Sequence, residues 1–315
     1  ARALASKCDV VIQNFKVGGA AKLGLSYEDL SAGRDDLIYC SISGYDPTGR
    51  EATRPGYDLV VQGEAGLMGM NGEANQPPLK FGVAVVDLFT GMYSAQAILA
   101  ALFQRQSTGR GRKIEMALYD CGLMITSYYG LEALLLGEDP PRYGNAHPSI
   151  VPYGVFDAAD GPLVITVGNN SQFQRFCREV IDRPDLAADT RFLTNLDRSK
   201  HRDALLPEIQ RELRARNRDD LLKKLACANI PCGEVAGLHQ ALTSTRARES
   251  GLVDEYEHPA AGRIDLLSPP YRFDGERPPV RRIPPTLGEG TAEVLGVMLG
   301  LPDERLQALK RSGVI

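Results

Sequence analysis

The sequence predicts an α/β fold in two parts, a large first domain and a smaller α+β domain. Three observations carry this. Strand-like and helix-like segments alternate through about residue 140. A stretch rich in Pro, Gly and polar residues, "EDPPRYGNAHPSIVPYG", then interrupts the pattern. Beyond it a hairpin is followed by a run of helices. With 315 residues and 43% hydrophobic content, the chain can bury more than one core.

In order, "ARALASKC" reads as the end of a helix, and "VVIQNF" after Asp9 as a strand. A parallel α/β unit places a strand before such a helix, so the expectation is that either the chain is a fragment or its first strand was lost. "GGAAKLGLSYEDLSA" reads as a helix, "LIYCSISGY" as the second strand, and "YDLVVQGEAGLMGM" as a helix after a Gly/Pro/Arg loop. Residues 86–106 form the clearest helix, with Gly91, Ser94, Ala95 and Ala97 allowing close packing; Gly109 and Gly111 stop it. "RKIEMALY" alternates as a third strand and runs into the apolar "CGLMITSYYGLEALLL", read as a buried helix. Past the linker, "GVFDAADGPLVITVGN" reads as a hairpin turning at Asp160-Gly161, and "GNNSQF" as a turn capped by Asn170 or Ser171. Helices "SQFQRFCREVI", "RDALLPEIQRELRARN" and "RDDLLKKLACAN" follow, then a short strand and a helix in "IPCGEVAGLHQALTS". A proline-rich tether leads to two short amphipathic helices at the end. The expected boundaries are 1–141 for the large domain, 142–153 for the linker, 154–262 for the small domain and 263–315 for tether and C-terminal helices.

Composition narrows the function. A net charge of −4 and a pI near 5.7 argue against a nucleic-acid partner. No uninterrupted apolar run suggests a membrane partner. The six cysteines are scattered, and Cys227 and Cys232 lack a second pair to complete a zinc site, so no metal is expected. Reduced thiols point to a cytoplasmic protein. No G-x-G-x-x-G follows a strand, which disfavours a nicotinamide enzyme.

One carboxylate stands out. Asp120 sits where the third strand stops and a helix begins. Position alone admits two readings, an N-cap or a nucleophile, and the cap is the commoner. The stretches "VVIQNFKVGGAAKLGL", "RPGYDLVVQGEAGLM", "VDLFTGMYSAQAILAAL", "GRGRKIEMALYDCGL", "GNAHPSIVPYGVF" and "IPCGEV" bear on the choice. In this order, and across nearly the whole chain, they resemble the family III CoA-transferases, the group that includes formyl-CoA and carnitine CoA-transferases.

The resemblance implies a Rossmann-like large domain, a C-terminal segment returning to it, and two chains threaded as an interlocked homodimer. It implies an enzyme that moves CoA from an acyl-CoA to a small carboxylic acid, with no permanently bound cofactor and the CoA thioester as substrate. Asp120 falls on the family's nucleophile. Asn14, Phe15 and Lys16 fall on CoA contacts, Lys22 on a position near the phosphates and Leu23 on an apolar neighbour. Arg54 is expected to pair with a phosphate or a substrate carboxylate, and Tyr57 to face the acyl group. Residues 144–150 match the loop placed over the nucleophile, with Asn145, His147 and Ser149 where formyl-CoA transferases carry a glycine run. That departure disfavours a formyl/oxalate substrate pair.

Two rivals accompany this reading. The related α-methylacyl-CoA racemases carry His where this chain has Tyr57 and use an aspartate that maps to Asp87. A single base does not readily exchange an α-proton from both faces, which favours transfer. The other rival is a non-catalytic acyl-CoA-binding dimer. The family's further N-terminal strand–helix unit helps bind the nucleotide, so CoA binding is expected to weaken without it.

Overall fold

Three parallel strands organise the first half of the chain, in the order β1 (Val10–Gln13), β2 (Ile38–Ser43), β3 (Lys113–Ala117). Val10 pairs with Ile38 and Tyr39 with Lys113. The computed structural model describes all 315 residues, and the chain divides into two units, Ala1–Asn145 and Ala146–Ile315.

In the first unit α1 (Arg2–Ala5) precedes β1. The helix expected between β1 and β2 is two short ones, α2 (Gly19–Lys22) and α3 (Tyr27–Ser31). Gly24 at φ +66° lets the chain leave α2, and Ser26 starts α3 through a capping box with Asp29. The next expected helix is also divided, into α4 (Asp58–Glu64) and α5 (Leu67–Met70), with left-handed Gly66 between them. These breaks are local, and apolar periodicity alone passes over them.

The long helix α6 (Val85–Thr108) ends, as expected, at Gly109 in the left-handed conformation. Its Ile98 and Ala101 pack against Ile38 and Cys40 of β2. On another face Leu88, Met92, Leu99 and Phe103 are exposed at helical spacing. The helix is long and apolar enough to cross a bilayer, contrary to the sequence reading, because its charges lie near its ends. After β3 the apolar run forms α7 (Leu118–Ile125) and α8 (Ser127–Leu136), parted at Ser127, whose φ is +53°. These are not buried helices. In α7 only Cys121 and Gly122 are buried, α8 has no buried residue, and Leu134 and Leu135 are 83% and 85% exposed.

The second unit holds an antiparallel sheet of β4 (Tyr153–Ala158), β5 (Gly161–Thr166) and β6 (Cys232–Glu234). Ala158 pairs with Gly161, so the hairpin turns at Ala159-Asp160, one residue earlier than expected. Helices α9 (Asn170–Arg175), α10 (Pro184–Ala188), α11 (Asn195–Lys200), α12 (Arg202–Arg214) and α13 (Arg218–Cys227) surround this sheet's core. Asn169, rather than Asn170 or Ser171, caps α9 by accepting from the Gln172 amide. The core joins Leu163 and Ile165 of the sheet to Phe173, Phe176, Ile209 and Leu225 of the helices. After α14 (Leu238–Thr243) and α15 (Thr245–Glu249) comes a hairpin the sequence reading did not anticipate, β7 (Val253–His258) with β8 (Gly262–Leu267). Most of its residues face solvent, so "VDEYEH" carries charges where a buried strand carries apolar groups. The terminal pair is a π-helical segment, Ala292–Met298, and α16 (Asp303–Arg311). Residues 263–315 group with this second unit.

Candidate active site

The C-terminal ends of β1, β2 and β3 all open on the same edge of the sheet, where open α/β sheets bind ligands. Beyond β1, the Phe15 amide donates to Gln13 Oε1 at 2.7 Å, while Gln13 Nε2 donates to Ser41 Oγ on β2 at 2.6 Å. One strand-end side chain thus turns the chain and ties it to the neighbouring strand. Asn14, Phe15 and Lys16 are left exposed.

A cavity of about 630 Å³ lies at this edge. Its walls include Asn14, Phe15 and Lys16 after β1, Ser43 and Gly44 at the end of β2, Arg54, Tyr57 and Asp58, and Asp87, Thr90 and Gly91 of α6. Four expected CoA contacts (Asn14, Phe15, Lys16 and Arg54) and the expected acyl contact Tyr57 therefore share one cavity. Lys22 and Leu23 do not line it; both are exposed on and just after α2.

A second cavity, of about 510 Å³, holds Asp120 with Tyr45, Asp46, Gly49, Arg50, Glu51 and Tyr119. The two cavities divide neighbouring residues between them: Gly44 and Tyr45, Glu51 and Ala52, Leu118 and Tyr119. Asp120 is not an N-cap. Ala117 occupies that position, and Asp120 stands in the first turn of α7. Its side chain is exposed, accepts no hydrogen bond and joins no ion pair. An aspartate with no structural partner, lining a cavity, suits attack better than capping.

The wall between strand and loop is fastened by a polar network. The Tyr119 amide donates to the Gly44 carbonyl at 3.1 Å, and the Tyr45 and Tyr119 rings lie 6.0 Å apart. The Tyr45 hydroxyl donates to Glu64 Oε2 at 2.7 Å, and Glu64 Oε1 pairs with Arg54. Arg54 also reaches Glu51 at 2.7 Å and lies 4.8 Å over the Tyr45 ring. Burial, with the Glu64 hydrogen bond, pushes the Tyr45 phenol up to about 12. The same tyrosine and Arg54 hold Glu64 below the usual carboxylate range. Arg54, expected to pair with a phosphate or a substrate carboxylate, is here engaged by the protein's own Glu51 and Glu64. Gly44 and Gly56 close the wall: a Cβ on Gly56 would lie 2.4 Å from the Gly44 Cα.

Asp58 has a role the sequence reading did not assign. Its Oδ1 accepts from the Val86 and Asp87 amides at 2.8 and 3.3 Å, capping α6 from another element, and its Oδ2 accepts from Gln62. Burial and then the Asp58 charge raise the pKa of Asp87.

The residues expected over the nucleophile are divided between units. Asn145 ends the first, while His147 and Ser149 belong to the second. His147 Nδ1 accepts from the Ser149 and Ile150 amides, each at 3.1 Å, and its ring lies 5.2 Å from Tyr153. Ser149 offers its carbonyl to Asn195 Nδ2 at 2.5 Å. These contacts give both residues local structural work. No group of three or more His, Cys, Asp or Glu side chains is arranged to hold a metal, and all six cysteines are free.

A parallel sheet with an unpaired aspartate in a cavity at its C-terminal edge is an arrangement that suits an α/β enzyme, and the chain belongs to CoA-transferase family III, which matches residues 1–291. It is similar to the succinate–glutarate CoA-transferase of Agrobacterium fabrum, 38% identical over 93% of this chain and 73% of that protein. The human succinyl-CoA:glutarate CoA-transferase is 34% identical over 99% of this chain and 71% of its own length. Among solved structures, a CAIB/BAIF family protein from Brucella suis superposes with a TM-score of 0.82 at 37% identity, over 94% of this chain and 77% of that one. The mixed α/β fold and the transferase activity expected from the sequence are those of this family.

Proposed function

We propose that this CoA-transferase moves CoA from a dicarboxylic acyl-CoA to a dicarboxylic acid, with Asp120 as the nucleophile. The observation that carries the reading is the exposed, unpaired Asp120 carboxylate in its own cavity beside the larger one. The substrate class is supported by the glutarate-specific names of the relatives.

Asp120 attacks the thioester carbonyl, the C–S bond breaks, and a mixed anhydride forms with free CoA thiolate. The thiolate attacks the aspartyl carbonyl and expels the donor carboxylate, leaving an aspartyl-CoA thioester. The acceptor carboxylate attacks that thioester, the thiolate leaves again, and its attack on the acceptor's acyl carbonyl frees the new acyl-CoA and Asp120. Covalent exchange conserves the thioester, provided water is kept out. The 630 Å³ cavity, with an exposed ring at Phe15 and a cation at Lys16, suits the CoA moiety. Parallel strands joined through helices support a Rossmann-like reading of the first unit. The exposed apolar faces of α6 and α8 support a homodimer.

The test is chemical trapping. Protein incubated with an acyl-CoA and quenched with borohydride or hydroxylamine carries the modification on the peptide containing Asp120. Asp120→Asn loses at least about 10³-fold in transfer rate, as expected for a covalent nucleophile. Label on another residue, or full activity in Asp120→Asn, overturns the assignment. Loss of α-tritium from the acyl group without transfer would instead mark a racemase working through Asp87.

A further inference from the structure

We propose that Arg50 recognises the remote carboxylate of a dicarboxylic acyl group bound at Asp120, and so determines the choice of diacid over monoacid. The proposal deepens the dicarboxylate reading and rests on it. Arg50 and Asp120 line the same 510 Å³ cavity. The loop carrying Arg50 is a chain of tight turns: the Thr48 amide donates to Asp46 Oδ1 at 2.8 Å, the Gly49 amide to the Asp46 carbonyl at 3.1 Å, and the Ala52 amide to the Gly49 carbonyl at 3.2 Å. Arg50 therefore projects from a held backbone, while its own side chain makes no hydrogen bond and no ion pair.

The charges around it explain why Arg50, and not Arg54, has the free hand. Glu51 and Glu64 neutralise Arg54. Asp46 Oδ1 accepts from the amide and hydroxyl of Thr48, and no ion pair joins Asp46 to Arg50. Arg50 is the one basic side chain in the lining of this cavity. When Asp120 becomes an anhydride or a thioester it loses its charge, and Arg50 is left facing an uncharged acyl linkage. A second carboxylate on the substrate restores balance and accepts the planar guanidinium through two parallel hydrogen bonds. The methylene spacer between the two carboxyls lies against the Tyr45 and Tyr119 rings of the same cavity. A monocarboxylic acid fills the spacer position and leaves the arginine unanswered.

The experiment compares the natural sequence, Arg50→Ala and Arg50→Lys with glutarate and with pentanoate, its monocarboxylic counterpart, as acceptors. In a covalent exchange mechanism kcat/KM for the acceptor reports only the acceptor half-reaction. Arg50→Ala should lower kcat/KM for glutarate about 10- to 100-fold, the range for losing a charged hydrogen-bonding pair. The glutarate-to-pentanoate ratio should fall with it, and Arg50→Lys should lie between, keeping charge without the bidentate geometry. An equal fall for both acids, or no change for either, overturns the role of Arg50. If the unmutated protein forms the Asp120 adduct but does not prefer glutarate, the dicarboxylate assignment itself is overturned, together with the role of Arg50.

Discussion

Asp120 and Glu64 are both carboxylates within the first unit, yet their surroundings give them opposite work. Asp120 has no partner and is available to react; Glu64 is held between the Tyr45 hydroxyl and Arg54 and braces the wall. This contrast has a consequence in pH. The folded pKa of Glu64 is depressed, so its contribution to stability is present above the ordinary glutamate value near 4.3 and is lost as pH falls through the lower folded value. Glu64→Gln should therefore melt below the natural protein at pH 7, and the gap should close as the pH is taken down from about 4. Thermal melts of both proteins across that range check it; a gap that persists or widens in acid contradicts the network. The sequence pointed to Asp120 through a matched motif and to Arg54 as a bare cation. It was silent on Glu64 as the partner of Arg54, because ten residues of loop and helix separate them. For the same reason Arg50 and Arg54 are alike in sequence and different in the structure.

At the scale of elements, α7 carries Asp120, the proposed nucleophile, and its packing depends on the absence of a side chain. A Cβ on Gly122 would come within 2.9 Å of the Ala65 Cβ and 3.0 Å of Val61 Cγ1. The helix thus lies against α4 two residues beyond Asp120. Gly122→Ala should force the helices apart, with a stability loss of about 1–3 kcal/mol, the usual cost of overpacking. Because a displacement near 1 Å can cost a factor of about 100, kcat should fall roughly 100-fold while the fold survives. Circular dichroism with steady-state kinetics on the purified variant decides it; unchanged kcat would mean α7 moves without carrying Asp120 off line. The sequence made the strand-to-helix junction legible through the alternation in "IEMALY" and the apolar run after it. The division of that run into α7 and α8 was not legible, since no Gly or Pro marks Ser127.

For the whole molecule the uneven cores are the informative feature. The second unit has one large core built from sheet and helices. The first has two small clusters, and exposes Leu99 and Phe103 on α6 and Leu134 and Leu135 on α8. The proposed homodimer would cover this apolar surface, and the family resemblance makes an interlocked one the expectation to test. Equilibrium sedimentation should show a dimer with no monomer across a wide dilution range, since threaded chains separate only by unfolding. A folded monomer at low concentration would count against the threading. A double substitution, Leu99→Glu with Phe103→Glu, should yield monomer or aggregate if this face of α6 is covered.

The sequence by itself determined the family, the α/β alternation of the first half and the extent of the long helix, and it singled out Asp120 at a strand-to-helix junction. Each of these lies in residues close together along the chain, where periodicity, stop signals and motif order can be read directly. Only the tertiary structure decided which charges are spent and which are free. It paired Arg54 with Glu51 and Glu64, turned Asp58 into a cap for α6, put Gly56 against Gly44, and brought Arg50 and Asp120 into the lining of one cavity. A side chain's charge is written in the sequence, but its neutralisation is a matter of which distant groups come within a few ångströms, and that is fixed only when strands and helices pack.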